Sequence, residues 1–398
     1  MNFINVIKPT HICNLSCTYC YNEDIRKPIM TEETLSRIIF ETFSYTNHLG
    51  CFSGVEFIWH GGEPLIPGIK FYEHVLRLQE KYSNGISYIN SIQTNGTLLT
   101  NKWVSFLSNN DFLVSLSIDG PKELHDANRI DKKGNGSFDR VMSGIRKLNQ
   151  ANQKFGSVLV INKQNKTHVE NIYDFMVSEK IAFNVIPMTK SGSAVCSYED
   201  LGLEADEYYE PWIKLYDLWF DAENDRYTYI SDFVRKTQAI MAGRAADCIG
   251  MSQCGNANCS TDPLGDIYPC ASLSGHPNLI YGNINKSSLL EIMNSNVAKE
   301  YRTRKPTKYC NACKWQHVCH GGCQARSYKF FSGNYHERDY YCPSLYKIYE
   351  HIEKKLATKG IKARDPYPNH MDDGLGGTPA YIESYISNKH HPIEITLL

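Results

Sequence analysis

Residues 3–20 read FINVIKPTHICNLSCTYC: a β-branched and aromatic run from Phe3 to Ile7, a proline turn, then cysteines at positions 13, 17 and 20. A short apolar run bounded by turn residues predicts a buried strand, which puts the cysteines on the loop leaving its C-terminal end. Three thiolates on one short loop can hold three corners of an iron–sulfur cubane, and the fourth iron then has no protein ligand. Zinc asks for a different pattern, commonly paired C-x-x-C elements that close a tetrahedron. Cys13, Cys17 and Cys20 therefore point to a cluster that either borrows a distant cysteine or keeps an open coordination position.

Downstream the same cadence repeats. Apolar runs at 3–7, 55–59, 86–92, 112–118, 158–161 and 182–187 alternate with amphipathic stretches at 31–45, 71–82, 138–148 and 169–179. Alternating strand and helix predicts an α/β fold with parallel strands and right-handed crossovers, either a full or partial barrel or an open doubly wound sheet. The unusual residues choose a barrel, full or partial, built of six β/α units. Gly61-Gly62-Glu63-Pro64, Thr94-Asn95-Gly96 and Ser117-Ile118-Asp119-Gly120 each follow a strand, as the cysteine loop does. Loops at the C-terminal ends of parallel strands share one face, where barrel active sites lie.

The expected division is a barrel over 1–200, a helical bridge over 201–245, a Cys-rich domain over 246–345, and a C-terminal helix and tail over 346–398. Trp212, Leu215, Trp219, Phe220, Phe233 and Ile240 are the expected core of the bridge. The tail is rich in Pro, Gly, Asp and His and reads as loosely packed, ending in a short helix and strand.

Composition limits the partners. The 398 residues carry 42 basic and 43 acidic side chains, so no global field draws in nucleic acid or an anionic membrane. No stretch approaches the roughly 18 apolar residues of a membrane helix, and the N-terminus lacks a signal-peptide core, so a cytoplasmic location is expected. Fourteen cysteines in a reducing compartment then favour metal ligation or catalysis over disulfides.

The C-x3-C-x2-C loop after the first strand resembles the signature of the radical S-adenosylmethionine superfamily, which implies a partial (β/α)6 barrel. That resemblance implies that the open iron chelates the amino and carboxylate groups of S-adenosylmethionine, whose reductive cleavage gives a 5′-deoxyadenosyl radical. Gly61, Gly62, Glu63 and Pro64 resemble the family's GGEP motif, which binds the methionine amino group. Tyr19 resembles an aromatic position near adenine. Thr94, Asn95, Ser117 and Asp119 stand where strand-end polar groups meet the ribose or methionyl portion, and Arg129 where a family residue pairs the methionyl carboxylate.

A second constellation reads Cys310-x2-Cys313-x5-Cys319-x3-Cys323, with Cys342 beyond it, Cys248, Cys254 and Cys270 before it, and Gly265 five residues ahead of Cys270. This resembles the SPASM extension of radical enzymes, which implies two auxiliary 4Fe-4S clusters and so three clusters in all. Cys248, Cys254, Cys270 and Cys323 would hold one, and Cys310, Cys313, Cys319 and Cys342 the other. Cys259 is an alternative to Cys248, Cys51 reads as a small core residue, and Cys196 follows the sixth strand. A pair of structural zinc sites is the competing reading of the region.

Enzymes with this extension mostly modify peptides, and the layout resembles anaerobic sulfatase maturases and maturases that crosslink ribosomally made precursor peptides. Sulfatase maturases carry an Asp directly after the cysteine of the YPC element, where this chain has Ala271. Without that proton acceptor, crosslinking is expected ahead of formylglycine formation, and no catalytic base is assigned. A precursor peptide and a reducing partner such as flavodoxin or ferredoxin are the expected partners. With the first strand at Phe3, no leader-binding domain is expected ahead of the barrel, so leader binding falls to the barrel, bridge or tail. A non-catalytic iron–sulfur electron carrier is the rival from another class.

Overall fold

The computed structural model describes residues 1–22, 28–305 and 307–363. Strands β1 (Phe3–Ile7), β2 (Val55–Trp59), β3 (Tyr88–Thr94), β4 (Leu113–Ser117), β5 (Phe155–Ile161) and β6 (Ala182–Pro187) lie side by side in chain order, every pair parallel. The crossovers are α1 (Glu32–Leu49), α2 (Ile69–Tyr82), α3 (Asn101–Asn109), then α4 (Lys122–Asp126) with α5 (Phe138–Gln150), and α6 (Val169–Ser178). Burial alternates along the strands. Phe3, Ile7, Val55, Phe57 and Trp59 are fully buried on the helix side, while Ile4, Val6, Glu56 and Ile58 are half-buried on the other, which lines the hollow of an incomplete barrel.

Helix α1 starts where its sequence says it should. Thr31 caps it by accepting from Thr34 N, and Glu32 and Glu33 face the positive end of its dipole. Gly50 ends it in the left-handed region at φ 64°. The helix thus runs past the expected stop at 45, and Cys51 falls in the exposed turn behind its cap rather than in the core.

The Cys-rich region shares the barrel's sheet. Strand β7 (Asn258–Thr261) pairs parallel with the free edge of β1, and β8 (Asp266–Tyr268) and β9 (Gly282–Asn283) extend it antiparallel, so the nine-stranded sheet ends at β6 and β9. Gly265 turns β7 into β8 at φ 88°, where a Cβ would come within 2.8 Å of Asn285 Nδ2.

The bridge consists of α7 (Ala194–Leu201), α8 (Tyr209–Phe220) and α9 (Ser231–Ala242). Trp212 lies 4.6 Å from Phe233 and stacks on Tyr216, giving the aromatic core expected there. Lys236, buried on α9, donates to Asp232 at 2.7 Å and to Asp247 at 2.9 Å, which ties the bridge to the turn that carries Cys248. Short helices follow: α10 (Leu289–Met293), α11 (Asn296–Arg302), α12 (Lys308–Asn311), α13 (Gln316–Cys319), α14 (Gln324–Phe330) and the longer α15 (Cys342–Thr358). Among the described residues no helix is long and apolar enough to cross a membrane. The helix and strand expected in the tail lie outside the described residues.

Candidate active site

Backbone bonds fasten the loop after β1 to the loop after β2. Gly62 N donates to Thr10 O at 3.0 Å and Glu63 N to Ile12 O at 2.8 Å. A Cβ on Gly61, which has φ 122°, would lie 2.4 Å from Thr10 O, and one on Gly62 2.3 Å from Ile12 O. The glycine pair is therefore what allows the two loops to approach so closely.

Glu63 is fully buried and holds three donors. Its Oε1 accepts from Thr94 Oγ1 at 2.6 Å and Leu65 N at 3.0 Å, and its Oε2 from Asn95 N at 2.8 Å. Burial pushes its carboxyl up to about 7 against the pull of these donors. Asn95 Nδ2 in turn donates to Asn14 Oδ1 at 2.9 Å and approaches Cys13 Sγ at 3.7 Å, and Tyr72 Oη donates to Pro64 O at 2.7 Å. The ends of β2 and β3 thus orient the first cysteine. Thr94, expected at the ligand, is engaged at both ends: it donates to Glu63 and accepts from Gly96 N at 3.1 Å.

The loop after β4 supports the cysteines from the other side. Ser16 N donates to Ile130 O, and Thr18 N to Asn128 O. Asp119, Arg129 and Tyr19 form one buried unit. Arg129 donates to Asp119 through Nε at 2.9 Å and Nη2 at 3.2 Å, its guanidinium lies 5.3 Å from the centroid of the Tyr19 ring, and Tyr19 Oη is hydrogen-bonded to Asp119. Asp119 Oδ1 also accepts from Val160 N at 3.2 Å. Arg129 thus engages Asp119 and Tyr19 and keeps Nη1 outside the pair. Ser117, partly buried at the end of β4, accepts from Gln93 Nε2 at 3.3 Å.

Four residues that sequence reasoning passed over converge behind Cys20. Lys8 Nζ donates to Asn22 Oδ1 at 3.2 Å and lies 5.4 Å from the Tyr21 ring centroid, and Lys329 Nζ lies 5.7 Å from the same centroid. Tyr21 Oη meets His60 Nε2 at 3.2 Å. Gly61 N donates to His60 Nδ1 at 2.7 Å, which places the imidazole proton on Nε2. Burial lowers His60 to about 4, so it is neutral, and lowers Lys8 to about 8 with Lys329 adding to the effect. The available signal was position: Lys8 directly follows β1, and His60 directly precedes the glycine pair.

The cysteines gather into three groups. Cys17 lies in the field of both Cys13 and Cys20, and burial pushes the Cys13 thiol up to about 11 and that of Cys17 to about 12. Cys254 lies in the field of Cys248, Cys270 and Cys323. Cys319 and Cys342 share a field with Cys310, and Cys342 also with Cys313. Cys259 stands apart. It is fully buried on β7, its thiol is raised by burial alone, and no other thiol charge reaches it, so it belongs to the core and Cys248 to the second group. Among the described residues, no three Cys, His, Asp or Glu side chains converge where a single ion would sit.

A match to the radical SAM superfamily spans residues 7–176, and one to the SPASM iron–sulfur cluster-binding domain spans 253–314. The chain is 30% identical over 363 residues to a cysteine-type anaerobic sulfatase-maturating enzyme of Clostridium novyi, covering 88% of this chain and 95% of that enzyme. It is 30% identical over 376 residues to a serine-type enzyme of Bacteroides thetaiotaomicron, covering 87% and 88%. The solved structure of native anSMEcpe with bound AdoMet superposes with a TM-score of 0.80 at 28% identity, over 89% of this chain and 98% of that one. SuiB of Streptococcus suis shares the fold at a TM-score of 0.60 and 18% identity, over 85% of this chain and 75% of that one.

The chain belongs to the radical SAM superfamily and is an enzyme of that class. More closely, it has the radical SAM plus SPASM layout of the anaerobic sulfatase-maturating enzymes. Membership implies iron–sulfur ligation and S-adenosylmethionine, and the residues after β1 fit both: a loop of three mutually coupled thiols, and beside it a glycine pair that no larger residue could replace.

Proposed function

We propose that this enzyme binds S-adenosylmethionine at a cluster held by Cys13, Cys17 and Cys20 and uses it to oxidise a side chain of a peptide. Bound together, the cluster and S-adenosylmethionine supply a 5′-deoxyadenosyl radical that abstracts hydrogen. The chain's own residues do the placing. Gly61, Gly62, Glu63 and Pro64 receive the methionyl amino group; Asn95 and Ser117 border the site. Thr94 holds Glu63 in orientation, and Asp119 with Arg129 holds Tyr19. Cys248, Cys254, Cys270 and Cys323 would hold a second cluster, and Cys310, Cys313, Cys319 and Cys342 a third; such clusters would supply an acceptor for the electron the substrate loses. A flavodoxin- or ferredoxin-type protein supplies the electron that starts the cycle.

The observation that carries this reading is the sorting of eleven thiols into one group of three and two of four, the three lying beside the glycine pair. Anaerobic reconstitution should give about 12 irons per chain, and a Cys13→Ala, Cys17→Ala, Cys20→Ala variant about 8. With dithionite and S-adenosylmethionine the unsubstituted enzyme should form 5′-deoxyadenosine and the variant none. Equal iron in the two proteins would sink the assignment.

The relatives make the conversion of a peptide Cys or Ser to formylglycine the leading reaction, and related structures hold AdoMet with an 18Cys peptide. Crosslinking, expected first from the sequence, becomes the second reading, which Ala271 keeps in view. Mass spectrometry of a Cys-containing sulfatase-type peptide after turnover separates them, since a crosslink costs only two hydrogens and leaves the sulfur in place. For formylglycine formation, Ala271→Asp restores a proton acceptor and should raise the peptide-dependent rate at least about tenfold, with peptide-independent S-adenosylmethionine cleavage unchanged. An unchanged rate would mean that another group already takes the proton.

A further inference from the structure

Two tyrosines close around the turn that carries Cys254. Tyr301, on α11, is fully buried, and Tyr281, in the segment leading into β9, is 4% exposed. Tyr301 Oη meets Cys254 Sγ at 3.8 Å. Tyr281 Oη is enclosed and has no hydrogen-bond partner among the described residues. The two ring centroids lie 6.3 Å apart. Gly255, directly after Cys254, faces both rings: it has φ 85°, and a Cβ there would lie 3.4 Å from Tyr281 Oη and 3.7 Å from the Tyr301 ring.

Both tyrosines are anchored beside other members of the same thiol group. Tyr281 N donates at 2.8 Å to Ile267 O on β8, the strand that leads into Cys270. Gln324, next to Cys323 and itself buried, donates through Nε2 to Tyr301 O at 2.9 Å. A phenol hydroxyl buried without a partner opposes folding, so the Tyr281 hydroxyl calls for an acceptor that the polypeptide does not supply. A hydroxyl facing a ligating sulfur has one role open to it. The thiolate carries no proton, and only the tyrosine can donate.

We propose that Tyr281 and Tyr301 are positioning residues that donate hydrogen bonds to the cluster assigned to Cys248, Cys254, Cys270 and Cys323, Tyr301 to the Cys254 sulfur and Tyr281 to another sulfur of the same cluster. The inference rests on the ligand assignment given above for these four cysteines. Hydrogen bonds to the sulfurs of an iron–sulfur centre favour its electron-rich state, so the two hydroxyls raise the reduction potential and suit the centre to accept an electron.

The test uses the full chain reconstituted anaerobically, with iron analysis and a potentiometric titration followed by electron paramagnetic resonance. Cys254→Ala should lower iron by about 4 per chain and remove one auxiliary signal, which identifies the signal to follow; unchanged iron and spectra would defeat the ligand assignment whatever the tyrosines do. Tyr281→Phe combined with Tyr301→Phe keeps both rings and should keep the iron, while shifting the electron-exchange equilibrium of that signal at least about tenfold toward the oxidised state, about 59 mV for a one-electron couple. Tyr281→Phe alone should shift it in the same direction, and it decides the matter if the double variant is insoluble. Tyr335→Phe is the control: its ring lies 5.0 Å from that of Tyr301, but its hydroxyl interacts with Glu300, so the equilibrium should stay within about twofold. An unchanged potential in the double variant at full iron overturns the proposal and assigns the hydroxyls to ordered water. So does loss of iron from a soluble double variant, or a Tyr335→Phe shift as large as that of the double variant, since ring packing would then set the potential.

Discussion

Alanine at position 62 should lower S-adenosylmethionine cleavage at least about 100-fold while leaving the barrel folded. The new Cβ would lie 2.3 Å from Ile12 O and 2.5 Å from His11 O, and both neighbours are backbone, so neither can rotate away. Relief requires the loops after β1 and β2 to part, which breaks the bonds from Gly62 N and Glu63 N that hold them together. Cys13 moves with the first loop and the Glu63 network with the second. A displacement near 1 Å of a reacting centre costs on the order of 100-fold. Formation of 5′-deoxyadenosine measures the loss, and circular dichroism of the apoprotein shows whether the fold persists. Gly50→Ala is the control: its Cβ would meet nothing within 4 Å, so the strain at φ 64° costs roughly 1–2 kcal/mol of stability and no cleavage. Cleavage by the Gly62 variant within twofold of the unsubstituted enzyme would show that the loop contact does not position the cysteines.

The barrel was legible because its signals are local. Each strand is a β-branched run, each active loop begins at a Gly or polar turn directly after it, and the structure finds β1 to β6 in the order read. Strands β7 to β9 were not legible, since NCST and DIY are too short to show a period, and their burial comes from pairing with β1 and with each other. The chain past β6 therefore read as a separate metal-built region, although its first strand completes the barrel's sheet.

The site divides the same way. The thiol loop and GGEP are contiguous motifs and stood out. Cys323 shares one spacing pattern with Cys310, Cys313 and Cys319, yet lies with Cys248, Cys254 and Cys270. Spacing alone does not reveal that grouping, which the resemblance to the SPASM extension implied; in the structure the turn at Gly321 and Gly322 wraps around Asp339 beside Cys323. Lys8, Tyr21, His60 and Lys329 were missed for a related reason. Three are near the motifs in sequence and one is not, and only the fold sets two ammonium groups over one ring.

Arg129 gives the second large effect, through stability. In the loop after α4, Arg129 gives both Nε and Nη2 to Asp119. Arg129→Met should destabilise the apoprotein by about 3–5 kcal/mol, because it leaves the Asp119 carboxylate buried without its cation. Asp119→Asn combined with Arg129→Met should recover most of that loss, since it removes both charges and retains an acceptor for Val160 N. Urea unfolding of the apoproteins measures the cycle. The catalytic cluster should still suffer in the double variant, because the Tyr19 ring between Cys17 and Cys20 has lost the guanidinium beside it, so iron in that site should fall even where stability returns. A single variant within about 1 kcal/mol of the unsubstituted protein would mean that the pair does not anchor the loop. The orientation of Cys17 and Cys20 would then depend on the other bonds to their loop, such as those from Ser16 N and Thr18 N to the loop after β4.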